Sequence, residues 1–236
     1  MMTERRRRFT VVLIASLLVI TGVVYEAINQ IPSSPKESAA PTATVASGPA
    51  ADALEQLVIK GRAPKTGYSR EQFGAGWQEA GGCDVRNRIL ARDMTNVVFR
   101  SETDCTVTKG VLPDPYTDKI IEFVRGQTTS DDVQIDHIVA LSDAWQKGAQ
   151  QLSKQIREAF ANDGLNLLAV DGPTNMAKGD GDAATWLPPH RPYRCQYVAR
   201  QIAVKQKYTL YITQAEHDAM GRILSDCPHQ VLPIVQ

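Results

Sequence analysis

The chain has 236 residues, with 26 basic and 26 acidic side chains and a formal net charge of zero. The first 30 residues carry Arg5, Arg6, Arg7 and Arg8 against Glu4 and Glu26, so the remainder is slightly acidic. That balance excludes a nucleic-acid binder with a broad basic face, and any nucleic-acid chemistry must rest on a local cluster or a metal.

The N-terminal stretch "MMTERRRRFTVVLIASLLVITGVVY" sets four arginines before an apolar run over residues 9–25. The run is long for the core of a signal peptide and short for a membrane span. Residues 1–30 therefore read as a signal peptide or a signal anchor, with the arginines left in the cytoplasm. Either way the rest is secreted, or anchored to the outer face of the cytoplasmic membrane. Membrane is a partner only if the leader is uncleaved. Residues 31–50, "IPSSPKESAAPTATVASGPA", are rich in Pro, Ser, Ala and Thr without apolar periodicity, the composition of a disordered linker. Residues 51–236 remain for one folded domain.

Within that domain, "ADALEQLVIKG" predicts a helix with Leu54, Leu57 and Val58 on one face, ended by Gly61. A second helix is expected over 69–80 and a third in "CDVRNRILARDM". The segments "NVVFR", "CTVTKG" and "KIIEFVRG" read as short strands, with "PDPYT" the strongest turn signal among them. "VQIDHIV" is a further strand, followed by an excursion with a helix near residues 150–161. "LNLLAV" is another buried strand, and "DGPTNMAKGDGD" leads into a short helix. Asp180 and Asp182 in that stretch read as a solvated acidic turn. In "YRCQYVARQIAVKQK", Cys195, Val198, Ala199 and Ile202 share a helical face, and Thr213 with Glu216 has the spacing of a capping box. Trp145 and Trp186 read as core residues; His190, His217 and His229 read as surface residues.

The four cysteines allow three pairings. In an exported chain an even count favours disulfides. The local pairs Cys83–Cys105 and Cys195–Cys227 are the favoured ones, and the second would clamp two C-terminal helices together. No cysteine–histidine spacing suggests zinc.

The chemistry concentrates in Asp136-His137, a titratable pair inside an apolar run. Such a pair is costly to bury unless partnered or bound to a metal. A hairpin of the two buried strands with the next helix laid across it would bring Asp136, His137 and Asn175 together. Phosphodiester hydrolysis suits such a set: imidazole takes a proton from water near neutrality. A carboxylate and an amide oxygen can hold one Mg²⁺ (or Mn²⁺) that keeps several waters. Asn166, at the start of the second strand, can bridge backbone groups across the excursion. Arg86 in "CDVRNR" could meet phosphate through its fork, or a salt bridge with Asp84 or Asp93.

"DHIVALSDAW", "LNLLAVDGPTNMAKGD" and "WLPP" resemble the HNH endonuclease family, in particular an exported bacterial branch similar to the C-terminal nuclease domain of GmrSD-type restriction enzymes. The resemblance runs from about Leu54 to Cys227 and takes in "KGRAPKTGYSREQF" and "CDVRNRILARD". It implies an α+β fold, a His-Me finger (ββα-metal) nuclease core with flanking helices and a small antiparallel sheet. It further implies His137 as general base, Asp136 and Asn175 as metal ligands, Asn166 as the brace of the finger and Lys178 as a phosphate contact. The last position of the motif is Asn rather than His, which speaks against zinc. The expected partner is nucleic acid, DNA before RNA, and the expected state a monomer. The rival expectation is a non-catalytic extracytoplasmic binding module on the same scaffold. A cysteine nucleophile is disfavoured because all four cysteines read as bridged.

Overall fold

The computed structural model describes residues 49–126 and 130–233, all within one compact unit, Ala43–Gln236. The expected leader over 1–30 and nearly all of the expected linker over 31–50 lie outside the described residues. Among the described residues no helix is long and apolar enough to cross a membrane.

Helix α1, Ala50–Glu55, stops earlier than the periodicity predicts. The backbone of the next residues bonds instead to residue 212, with Ile212 N donating to Val58 O and Lys60 N to Ile212 O. Val58, expected on the buried face, is consequently 54% exposed. The helix expected over 69–80 is also cut short. Only a 3-10 turn forms over Arg70–Phe73, because Gly74 and Gly76 adopt φ of 103° and 141°, outside the helical region. The chain then makes a small hairpin, β1 (Glu79–Ala80) with β2 (Cys83–Asp84).

Helix α2, Val85–Asp93, is capped by the Asp84 side chain, which accepts from Asn87 N at 2.7 Å. Three antiparallel strands follow: β3 (Thr95–Ser101), β4 (Asp104–Pro113) and β5 (Ile120–Val124), with β4 in the centre. Strand β6 (Val133–His137) leads into α3 (Leu141–Gln146) and α4 (Lys154–Ala161). Strand β7 (Leu167–Asp171) returns antiparallel to β6 and runs directly into α5 (Gly172–Lys178). Helices α6 (Arg194–Lys207) and α7 (Gln214–Ser225) complete the domain. The result is the expected α+β class with small antiparallel sheets.

Strand β7 shows why its sequence lacks alternation. Leu168 and Val170 face the larger apolar core, with Ile138, Val139, Phe160 and Ile202. Leu167 and Ala169 face a second core, with Val85, Ile89, Leu90, Phe123, Val133 and Ile135. A strand covered on both sides reads as an unbroken apolar run. The β7–α5 corner is equally constrained. A Cβ on Gly172 would stand 1.9 Å from the Asp131 carbonyl oxygen, so only glycine allows this close approach.

Cys83–Cys105 and Cys195–Cys227 are both bridged, as the local pairing anticipated, and no described cysteine is free. The second bridge ties the start of α6 to the residues just after α7. Replacing Cys195 and Cys227 together by Ala is expected to lower stability by about 2–4 kcal/mol. Urea unfolding would register this, and an unchanged midpoint would show that the two helices need no clamp.

Candidate active site

Consecutive residues of a strand point to opposite faces. In β6 this sends Gln134 and Asp136 toward α5, while Val133 and Ile135 enter the smaller core. Asn175 Nδ2 donates to Gln134 Oε1 at 2.9 Å, and Lys178 Nζ donates to Asp136 Oδ1 at 2.7 Å. The other carboxylate oxygen, Oδ2, accepts from the Tyr116 hydroxyl at 2.5 Å. Burial, with the Asp136 carboxylate next to it, pushes the Tyr116 phenol well above its ordinary pKa, so it stays a donor.

His137 ends β6 and is buried. Its Nε2 lies 2.9 Å from the Ala161 carbonyl oxygen at the end of α4. A carbonyl only accepts, so Nε2 carries the proton and Nδ1 presents the lone pair. The ring stacks on Trp77 with 5.8 Å between centroids and 8° between planes. Burial pushes the imidazole pKa down to about 4, against the upward pull of the Ala161 carbonyl and of Asp136, and Arg70 and Lys178 act with burial. At neutral pH the ring is therefore uncharged, and the lone pair of Nδ1 is unprotonated.

Asn166 is fully buried between the strands. Its Oδ1 accepts from Val139 N at 2.8 Å, its Nδ2 donates to Val139 O at 3.2 Å, and its backbone oxygen accepts from Ile138 N at 2.8 Å. These bonds close the two ends of the excursion directly behind His137. Asn166→Ala removes both side-chain bonds and leaves buried Val139 groups unpartnered, at about 1–3 kcal/mol each. Thermal denaturation should show that loss. Retention of wild-type stability would deny Asn166 the bracing role.

Asp136, His137 and Asn175 border one cleft of about 370 Å³, together with Lys65, Tyr68, Arg70, Ser142 and Asp180. Among the described residues, no three His, Cys, Asp or Glu side chains gather as a closed metal cage would need. The donor set nevertheless fits a hard, mostly hydrated cation. Asp136 has four lone-pair sites and two donors on them, and Asn175 uses its NH₂ on Gln134, leaving Oδ1. The ammonium on Asp136 weakens the attraction of that carboxylate for a cation.

Two expectations for phosphate contacts do not survive this geometry. The Lys178 side chain is fully buried, and its ammonium also donates to His137 O at 2.8 Å. It is the counter-ion of Asp136 and not a surface group offered to phosphate. Arg86 donates to Val133 O at 3.3 Å, at the opposite end of β6 from His137, which at the usual rise is roughly 13 Å away. It does not line the cleft that holds Asp136, His137 and Asn175.

Other residues were not legible as part of a site. Lys65, Tyr68 and Arg70 come from the irregular segment before the 3-10 turn, and only the resemblance over "KGRAPKTGYSREQF" drew attention to it. Asp182, expected in a solvated turn, is buried and accepts from Lys147 Nζ at 2.7 Å and Arg62 Nη2 at 2.6 Å. Asp180, beside it, does remain half exposed, held by Lys65 and Ser142 at the cleft rim.

Comparison with known proteins agrees with the family suggested by the motifs. Residues 84–223 match the family described as GmrSD restriction endonucleases, C-terminal domain. A protein of Arthroderma benhamiae described as an uncharacterized secreted protein is 38% identical over 176 residues, covering 74% of this chain and 82% of that protein. No solved structure matches. The matched segment holds β6, β7, α5 and every residue of the cleft except Lys65, Tyr68 and Arg70, and on that match the chain belongs to the family of GmrSD restriction endonuclease C-terminal domains.

Proposed function

We propose that the protein is an exported, metal-dependent endonuclease that hydrolyses phosphodiester bonds of nucleic acid, DNA before RNA, on a His-Me finger formed by β6, β7 and α5. The observation that carries this reading is the placement of His137: its ring is oriented by Ala161 through Nε2, which leaves Nδ1 as the acceptor, on a cleft shared with Asp136 and Asn175.

His137 Nδ1 takes a proton from water as the oxygen attacks phosphorus in line, and the 3′ oxygen departs. Asn166 holds the strand ends so that the ring cannot swing away. Asp136 and Asn175 Oδ1 would hold one Mg²⁺ or Mn²⁺, which supplies charge stabilisation on the phosphate and the departing oxygen. Tyr116 and Lys178 fix the Asp136 carboxylate through hydrogen bonds to both oxygens. Two disulfides and the description of the Arthroderma relative as secreted support a location outside the cytoplasm.

Supercoiled plasmid incubated with the purified chain should be nicked with Mg²⁺ or Mn²⁺ and left intact with EDTA. Nicking that persists in EDTA would remove the metal from the reading. A binding module on the same scaffold would leave the plasmid intact under every condition.

A further inference from the structure

We propose that Arg70 is the phosphate-binding residue of the cleft, gripping a substrate phosphodiester beside His137; this rests on the nuclease reading above. With Lys178 and Arg86 committed elsewhere, an anionic substrate needs another cation. The Arg70 side chain is exposed and, among the described residues, makes no hydrogen bond or ion pair. It borders the cleft with Asp136, His137 and Asn175, and also an adjoining hollow of about 190 Å³ formed with Phe73, Trp77, His137 and Ala161. His137 and Arg70 are thus common to both spaces. The other cation of the cleft, Lys65, is 3.1 Å from Asp180 and lies over the Tyr68 ring, so it is already partnered.

The segment before α2 fixes this placement. Phe73 is buried among Tyr68, Trp145 and Phe160, which anchors the 3-10 turn that begins at Arg70. A guanidinium offers a planar fork that matches two phosphate oxygens and never loses its charge. Such a contact is blind to base sequence, as suits a chain with no broad basic face.

The test measures binding of a fluorescein-labelled single-stranded oligonucleotide by the full His137→Ala chain, which binds without cutting, across a salt series. Adding Arg70→Ala should weaken binding roughly ten- to hundredfold. It should also flatten the dependence of log affinity on log salt by about 0.7 for the lost phosphate contact. Arg70→Lys should keep the slope and recover part of the affinity. Lys109→Ala, which removes one positive charge from β4 away from the cleft, should change neither quantity. In the His137-intact chain, Arg70→Ala should raise KM for oligonucleotide cleavage. Equal binding with and without Arg70, or an equal loss from Lys109→Ala, would overturn the proposal while leaving nuclease activity in place. Absence of both binding by the His137→Ala chain and cleavage by wild type would overturn the nuclease reading, and Arg70 with it.

Discussion

His137→Ala is expected to lower the rate of metal-dependent plasmid nicking by roughly 10²–10⁴-fold, the usual contribution of a positioned general base. The side chain occupies its place through two contacts, the Ala161 carbonyl and the Trp77 ring, neither of which holds β6 to β7. The strand pairing from Val133↔Asp171 to His137↔Leu167 is backbone-made and survives the substitution. Circular dichroism of the variant should therefore match wild type while initial nicking rates collapse. His137→Ala cutting at the wild-type rate would remove the imidazole from the chemistry. His137→Gln is a useful companion, since its amide can keep the Ala161 contact without supplying a base.

Lys147→Met is expected to cost about 3–5 kcal/mol of stability, the penalty for stripping one partner from a buried charge cluster. The fully buried Lys147 ammonium lies 2.7 Å from Asp143, 2.7 Å from Asp182 and 2.6 Å from Glu216. Lys205, also fully buried, contacts Asp143 and Glu216 from α6, and Arg62 reaches Asp143 and Asp182 from the rim. Met fills the space of the lysine stem but leaves three carboxylates facing two cations. The cluster joins α3, α6, α7 and the segment after α5, so its loss should loosen the cleft from behind. Denaturant unfolding of the variant would measure the cost, and a change within about 0.5 kcal/mol would mark the cluster as dispensable.

The same cluster carries a pH signature. Burial alone would raise the Asp182 pKa, but Lys147 and Arg62 hold it well below the ordinary carboxylate value. A depressed folded pKa gives stability that is complete above the unfolded pKa and is lost as pH falls toward the folded one. In Lys147→Met that acid-side loss should shrink, because Asp182 loses its main stabilising partner.

The β6–β7–α5 unit and the groups that hold it were unevenly legible in the sequence, for physical reasons. Asp136-His137 stood out because two titratable groups broke an apolar strand. The apolar "LNLLAV" announced a strand covered on both sides. Thr213 was legible as a cap, and its Oγ1 does accept from Glu216 N at 3.2 Å. The other half of the box is absent, because the Glu216 carboxylate turns inward to two buried lysines. Nothing local distinguishes such a glutamate from a surface one, since its partners lie on other elements. Lys178, which the resemblance implied as a phosphate contact, was obscured for the same reason: only the fold places Asp136 against it. Asp143 and Lys147 had helical i,i+4 spacing, but spacing does not tell a solvated pair from a buried one. The helix expected over 69–80 failed at Gly74 and Gly76, whose positive φ is set by the turn that carries Phe73 into the core.

The most direct measurement of the central claim is the chemistry of the ends left on a cleaved DNA oligonucleotide when the reaction runs with Mg²⁺ in ¹⁸O-labelled water. Mass spectrometry should find 5′-phosphates carrying one ¹⁸O from solvent and 3′-hydroxyl ends, the products of water attack with departure of the 3′ oxygen. Uncut oligonucleotide, 3′-phosphate ends, or 5′-phosphates without the label would contradict hydrolysis by water activated at His137.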